Sequence, residues 1–469
     1  MYDSVMYTYK RFPIVLEKGE GCRVWDENGK KYLDFAAGIA VNSLGHAHPR
    51  LCAAIAEQAG KLIHVSNYYW TRPLISLADK LVAHGSFDRA FFCNSGAEAI
   101  EGAMKLARRY ANARNPGCMG EQSHMRAPTA YETTSPGCMG EQSHMRAPTA
   151  YETTSPGRMG EQSHMRVPTA YETTSPGRMG EQSHMRVPTA YETTSPGRFE
   201  IIAVKNSFHG RTFAALTATG QDKYKKGFGP LMPGILHAEF NDFGSLLGLA
   251  GEKTCAVLLE PIQGEGGIHP ADAGYLEKVR EFCDERDIVL IFDEVQCGVG
   301  RTGRFFAHEL YGVSPDVVCM AKGLAGGLPI GAMLAKEKFA SVLGPGDHAS
   351  TFGGGPLVAA AANVVLDELF DNGLLEHVQK VSGHLRARLE GLKADFPSVI
   401  KEIRGVGLLM GAEFAEPVGE IVDKCVENGL LVINAGERVL RFAPPLVVGE
   451  EDIDEGFGIL EKALYANLD

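Results

Sequence analysis

The run Ile288-Val289-Leu290-Ile291-Phe292-Asp293-Glu294-Val295-Gln296 places five apolar residues directly ahead of an acidic pair. An uninterrupted apolar run of this length, ending abruptly in charge, has the pattern of a strand buried on both faces, as in a parallel sheet. Asp316-Val317-Val318-Cys319-Met320-Ala321-Lys322-Gly323 repeats the design and delivers a lysine instead of an acid. Ala90 to Cys93, Ile201 to Val204 and Cys255 to Leu259 are further short apolar runs, and helix-period segments lie between them, beginning with Gly96 onward (GAEAIEGAMKLARRY). This alternation predicts an α/β fold with a largely parallel sheet, and such sheets gather ligands at the carboxyl ends of their strands. From about Pro356 the texture changes. A long helical stretch precedes short strands around Gly405 to Phe414 and Leu430 to Ile433, predicting a second, smaller α+β domain. The expected divisions are an N-terminal segment over 1–60 that packs with the small domain, a large domain over 61–345, and the small domain over 346–469.

The composition narrows the function. With 44% hydrophobic and 22% charged residues the chain reads as globular, and a formal net charge of −12 argues against a nucleic-acid surface, which needs clustered Lys and Arg. No window approaches eighteen uncharged apolar residues, so no membrane span is expected, and the N-terminus lacks a secretory pattern; the expected location is cytoplasmic. The ten cysteines are scattered without CxxC spacing and read as reduced thiols.

One segment stands apart. From Pro116 to Ser195 a 20-residue unit, PGCMGEQSHMRAPTAYETTS, is written four times with only Cys/Arg and Ala/Val exchanges. It has two Pro and two Gly per unit and no periodicity of 2 or 3.6, so it predicts a surface excursion rather than a solenoid. Its histidines (His124, His144, His164, His184) have no second ligand type at close spacing, and no metal site is expected. A role as an interaction scaffold built on this loop is the alternative to an enzyme.

Three strand ends invite chemistry. A lysine at Lys322, partly desolvated at a sheet edge, has a lowered pKa and an amine suited to Schiff-base formation; taken alone, a solvated lysine fits as well. Asp293 could hold a ring nitrogen protonated, cap a helix or bind a metal. Cys93-Asn94-Ser95-Gly96-Ala97-Glu98 runs from strand through turn to helix, and the free N–H groups of a first helical turn suit a phosphate. No GxxxxGK[ST] occurs, and Gly264-Glu265-Gly266-Gly267 does not open a helix, so a nucleotide is disfavoured.

A phosphate cradle, an acid for a pyridine nitrogen and a Schiff-base lysine are together what pyridoxal phosphate requires. Outside the repeat, the chain resembles the class III, fold type I aminotransferases that use this cofactor. The resemblance is carried by DFAAGIAVNSLGHAHP from Asp34, FFCNSGAEA from Phe91, NSFHGRT from Asn206, EPIQGEGG from Glu260, FDEVQCGVGRTG from Phe292, AKGLAGGLPIGAM from Ala321, STFGG from Ser350 and RFAPPL from Arg441. It implies a mainly parallel seven-stranded sheet in the large domain and a homodimer with active sites at the interface. Lys322 matches the Schiff-base lysine and proton shuttle, and Asp293 the partner of the pyridine nitrogen. Gly96 and Ala97 match the phosphate cradle, Phe208 the aromatic on the ring, and Gln296 a residue near the phenolic oxygen, with Glu294 and Val295 beside them. Thr351 matches a threonine reaching the neighbouring subunit's phosphate, and Ser350 a contact to substrate across the dimer. Arg211 matches the arginine that grips a substrate carboxylate. Glu265 matches a glutamate that covers Arg441 while the amino donor is bound and then releases it to glutamate. The small residue at Gly38, where ornithine-specific members carry an aromatic, implies N2-acetylornithine as donor and 2-oxoglutarate as acceptor; other ω-amino donors are the alternative. The chain departs from the family at Ile100, usually Asn, and at Ala97, often Thr, where a hydroxyl is lost and the backbone donors remain.

Overall fold

A computed structural model describes residues 4–114 and 197–468; the repeat, with what was expected of it, lies outside them. Seven strands make the main sheet: β1 (Arg89–Cys93), β2 (Glu200–Val204), β3 (Ile235–Ala238), β4 (Thr254–Leu259), β5 (Val289–Asp293), β6 (Val317–Met320) and β7 (Gly331–Ala335). Their spatial order is β1-β7-β6-β5-β4-β2-β3. All neighbours are parallel except those of β7, which runs against both β6 and β1. The fold is therefore the α/β, fold type I arrangement, with a seven-stranded, mostly parallel sheet. Strands β4, β5 and β6 are buried at every position, which is why their sequences are unbroken apolar runs.

The helix Gly96–Ala113 packs along this sheet. Ser95 caps it, its hydroxyl accepting from the Glu98 N–H, and Ala99, Ile100, Ala103, Met104, Leu106, Ala107 and Tyr110 form its buried stripe. Ile100 thus lies in the core, which accounts for an apolar residue there. The helix ends near Arg114, whose Nη1 donates to Asp287 Oδ2 at 2.6 Å. The chain is next described just before β2, where Arg198 donates to Thr254 O at 2.7 Å and to Arg286 O at 3.2 Å.

The expected long helical stretch is two helices, Pro356–Phe370 and Leu374–Asp395, parted at Asn372-Gly373. The expected strand over Gly405 to Phe414 is a hairpin of Ile400–Val406 and Leu409–Phe414, which continues through Val439–Phe442 to Ile433–Ala435 as an antiparallel sheet. Near the start of the chain, Leu16–Glu20, Arg23–Asp26 and Lys31–Asp34 form a small sheet completed by Leu430–Leu431, which pairs in parallel with Lys31–Asp34. Ala37, Gly38, Ile39 and Ala40 follow with φ of 46°, 62°, 66° and 61°, one turn of left-handed helix. Such a turn costs roughly 1–2 kcal/mol per non-glycine residue. It is braced by Asp34 Oδ1, which accepts from the N–H groups of Ala36 (3.0 Å) and Ala37 (2.8 Å). Just beyond it, the buried Ser43 hydroxyl donates to Gly323 O at 2.8 Å, tying this segment to the residue after Lys322.

The hairpin turn carries the small sheet onto the loop that follows β5. Gly407 has φ 63°, and a β-carbon there would lie 2.5 Å from Arg301 O and from Thr302 Cα. Leu408 N–H donates to Arg301 O at 2.9 Å, and the buried Arg301 guanidinium returns bonds to the carbonyls of Leu408 and Pro444. We expect Gly407→Ala to cost about 2–5 kcal/mol, from positive-φ strain and overpacking together. Urea unfolding of the variant against the parent measures it, and an unchanged midpoint would contradict the close approach.

Candidate active site

A cavity of about 450 Å³ opens beyond the carboxyl ends of β1, β2, β4, β5 and β6. Lys322 follows β6 and Asp293 ends β5, as the two apolar runs predict. Burial of the Lys322 amine, aided by the positive Arg441, holds its pKa below 10.5 against the opposing pull of Glu265, Asp293 and Glu260. A larger share of the amine is therefore unprotonated and nucleophilic than in a solvated lysine.

Asp293 is 4% exposed and fixed from two sides. Oδ1 accepts from Val295 N–H at 3.0 Å, and Oδ2 accepts from His209 Nδ1 at 2.8 Å. The acceptor-only carboxylate assigns the proton to Nδ1. His209 Nε2 is buried and has no partner among the described residues, so the ring serves Asp293 alone. Glu260, the first residue after β4, is also buried in the wall. Its oxygens accept from Phe208 N–H (3.0 Å) and Gly264 N–H (3.3 Å), tying two cavity loops together. Burial and the nearby Asp293 raise its pKa well above the ordinary carboxylate range.

Across the cavity, Glu265 Oε1 meets Arg441 Nη1 at 2.5 Å, and Gln296 spans the pair, donating to Glu265 at 3.1 Å and accepting from Arg441 at 3.1 Å. Burial alone would raise the Glu265 pKa, but Arg441, Lys322 and Gln296 outweigh it and hold the group below its usual range. The cluster is tight enough that a β-carbon on Gly264 would lie 1.8 Å from Gln296 Oε1.

The Gly96–Ala113 helix points its first turn into the cavity. The N–H groups of Gly96 and Ala97 are not intrahelical donors, and both residues line the wall with Asn94 and Ser95. Phe208 lines the same wall, and Arg211 stands at its edge with its guanidinium 5.5 Å from the Phe208 ring. Of the residues named from sequence, Lys322, Asp293, Gly96, Ala97, Phe208, Val295, Gln296, Arg211 and Glu265 line the cavity, and Arg441 reaches it through Glu265 and Gln296.

Three others lie elsewhere in the chain. Glu294 turns away, its buried carboxylate accepting from the N–H groups of Ala307 (2.5 Å) and His308 (2.9 Å) and facing His308 Nδ1 at 2.7 Å. The Ser350 hydroxyl accepts from Asn94 Nδ2 and from Gly353 N–H, both at 3.1 Å. Thr351 lies in a separate small cleft with His64, Ser66 and Asn67. Sequence reasoning quoted the stretches that contain Glu260, His209 and Asn94 but gave none of the three a role of its own. Glu260 carried a legible signal, a charge directly after the apolar run Cys255 to Leu259, as at Asp293 and Lys322. His209 carried none beyond its place between Phe208 and Gly210.

A helix end with free N–H donors, a fixed acid, an aromatic wall and a deprotonatable amine share one cavity. Comparison with known proteins agrees with the chemistry. The family model described as Aminotransferase class-III matches residues 5–464. The acetylornithine aminotransferase of Caldanaerobacter subterraneus is 46% identical over 462 residues, covering 98% of this chain and 97% of that one. The protein of the same name from Thermosynechococcus vestitus is 43% identical over 470 residues, covering 98% and 95%. Among solved structures, the ornithine aminotransferase from Toxoplasma gondii superposes with TM-score 0.78 at 30% identity, covering 99% of this chain and 93% of that one. The N-acetylornithine aminotransferase from Stenotrophomonas maltophilia superposes with TM-score 0.71 at 34% identity, covering 98% of each.

The buried amine has a measurable thermodynamic signature. A folded-state pKa below 10.5 means that, between the two values, the unfolded chain binds more protons, so stability rises with pH there. Lys322→Met removes the penalty of burying the charge. In protein free of bound small molecules, the variant should exceed the parent in stability at about pH 7 by about 1.4 kcal/mol per unit of depression. The gap should close as pH approaches 10.5. Urea titrations across that range test it, and a pH-independent gap would contradict the lowered pKa.

Proposed function

The chain belongs to the class III aminotransferases, and from that premise we propose that it moves the δ-amino group of N2-acetyl-L-ornithine to 2-oxoglutarate. The products are N-acetyl-L-glutamate 5-semialdehyde and L-glutamate, a step of arginine biosynthesis. The observation that carries the reading is the Glu265–Arg441 pair inside the cavity that holds Lys322. A transaminase of this kind must accept, in turn, a donor with a distal amine and an acceptor with two carboxylates. With Glu265 on Arg441 the charge on that side is cancelled, and when Glu265 swings away a guanidinium is bared for the second carboxylate.

The wall fits pyridoxal 5′-phosphate as cofactor. The first-turn N–H groups at Gly96 and Ala97 suit its phosphate. Asp293, held rigid by His209 and Val295, suits the pyridine nitrogen, Phe208 the ring face and Gln296 the phenolic oxygen. Bound there, the cofactor supplies a carbonyl that exchanges with amines and a ring that withdraws electrons from the adjacent carbon. The chain's own groups do the rest. Lys322 Nζ, kept partly unprotonated by burial, carries protons to and from the reacting carbon. The Asp293 carboxylate holds the ring-nitrogen proton in place, and Arg211 takes the carboxylate of the acylated donor.

Two copies of the chain are expected to share the sites. Thr351 lies outside its own chain's cavity, and the surface near it is rich in exposed aromatics, with Tyr68 at 93%, Trp70 at 83% and Phe352 at 65% exposure. A face of this kind marks an interface, and a second copy bearing Thr351 would complete the phosphate site.

Steady-state kinetics test the function. We expect kcat/KM to favour N2-acetylornithine over free ornithine, and Lys322→Ala to lose at least about 10³-fold in kcat. Preference for the free amine would move the chain among the ornithine-specific members, and full turnover by Lys322→Ala would overturn the mechanism.

A further inference from the structure

Arg211 stands exposed at the edge of the cavity, and among the described residues its guanidinium has no carboxylate or carbonyl partner. What it touches is aromatic. The guanidinium carbon lies 4.1 Å from the centroid of the Tyr224 ring and 5.5 Å from that of Phe208. The two rings meet edge to face, with centroids 5.5 Å apart and planes at 77°. Tyr224 ends a short 3-10 turn, Asp222–Tyr224. That turn is stitched to the Phe208 loop: Gln221 Nε2 donates to Asn206 O at 3.1 Å and Ser207 O at 3.3 Å, and Gly220 N–H donates to Ser207 Oγ at 2.9 Å. The Lys223 ammonium also lies over Tyr224, at 4.9 Å, while Lys225 faces Asp222 at 3.8 Å.

We propose that Tyr224 is a positioning residue for substrate specificity: its ring face seats Arg211 so that the guanidinium meets the carboxylate of the amino donor. An acidic partner would hold the arginine as firmly, but it would occupy the N–H donors and cancel the charge the substrate needs. A ring holds a guanidinium through its face and leaves all the donors in its plane available. The proposal rests on the reading of Arg211 given above and adds the residue that makes it effective.

The test uses the holoenzyme with two amino donors: N2-acetylornithine, and N-acetylputrescine, which has the same reacting amine and no carboxylate. Tyr224→Leu should raise KM for N2-acetylornithine about 2- to 5-fold, the range of a cation–π contact at an exposed site, with kcat within about 1.5-fold. The KM of N-acetylputrescine, or its Ki as a competitor, should not move. Tyr224→Phe, which keeps the ring, should behave as the parent, and Arg211→Ala/Tyr224→Leu should be no worse than Arg211→Ala alone. Equal losses on both donors, or an unchanged KM for Tyr224→Leu beside a raised KM for Arg211→Ala, would overturn the role of Tyr224. An unchanged KM for Arg211→Ala would instead overturn the carboxylate reading itself. Tyr224→Gln serves where Leu lowers the thermal midpoint by more than a few degrees.

Discussion

Charge withdrawn from water at the carboxyl edge of one sheet is the constraint that the rest of the molecule answers. Lys322, Asp293, Glu260, Glu265 and Arg441 converge on a single cavity, and any one of them buried alone would cost several kcal/mol. Each is relieved differently. Asp293 is hydrogen-bonded by a histidine and a backbone N–H; Glu265 and Arg441 neutralise each other; Glu260 is pushed toward its protonated form; Lys322 is pushed toward its free amine. The large elements can be understood as the means of delivery. Parallel strands bring three of the groups to one edge, and the antiparallel sheet behind the Gly407 turn brings Arg441 to meet them.

The two arginines at the cavity show opposite solutions to holding a guanidinium. Arg441 is 2% exposed and covered by an acid, so its availability is conditional on Glu265. Arg211 is solvent-exposed and backed by rings, so its availability is permanent. Under the proposed reaction, which alternates between two partners, the carboxylate of the acylated donor would be met by the arginine that is always open, and the second partner by the one that must be uncovered.

Much of this was legible in the chain because buried parallel strands write their boundaries plainly. Five of the seven strands were visible as apolar runs, and two of those runs ended on Asp293 and Lys322. Strand β7 escaped because Gly-Ala-Met-Leu-Ala has neither β-branched nor aromatic residues, and β3 because it is four residues long and half-buried. The helical stretch after Pro356 read as one piece because periodicity continues across Asn372-Gly373, although Gly373, with φ 75°, turns the chain there. In the site, whole motifs located Phe208, Gln296 and Arg211. They gave Asp293 the central role but also counted Glu294 among the residues around the cofactor, whereas the two adjacent side chains leave the strand in different directions, one to the cavity and one to the 307–308 backbone. His209 and Tyr224 act only through a neighbour, and contacts of that kind leave no spacing in a sequence.

The anchors on either side of the repeat sit at the other end of the same strands. Arg114 is held at Asp287, just before β5, and Arg198 at Thr254, where β4 begins, whereas Lys322, Asp293 and Glu260 follow the carboxyl ends. The two described ends of the chain that flank the repeat are thus moored at the amino-terminal side of the sheet, a full strand length from the edge that carries the cavity groups.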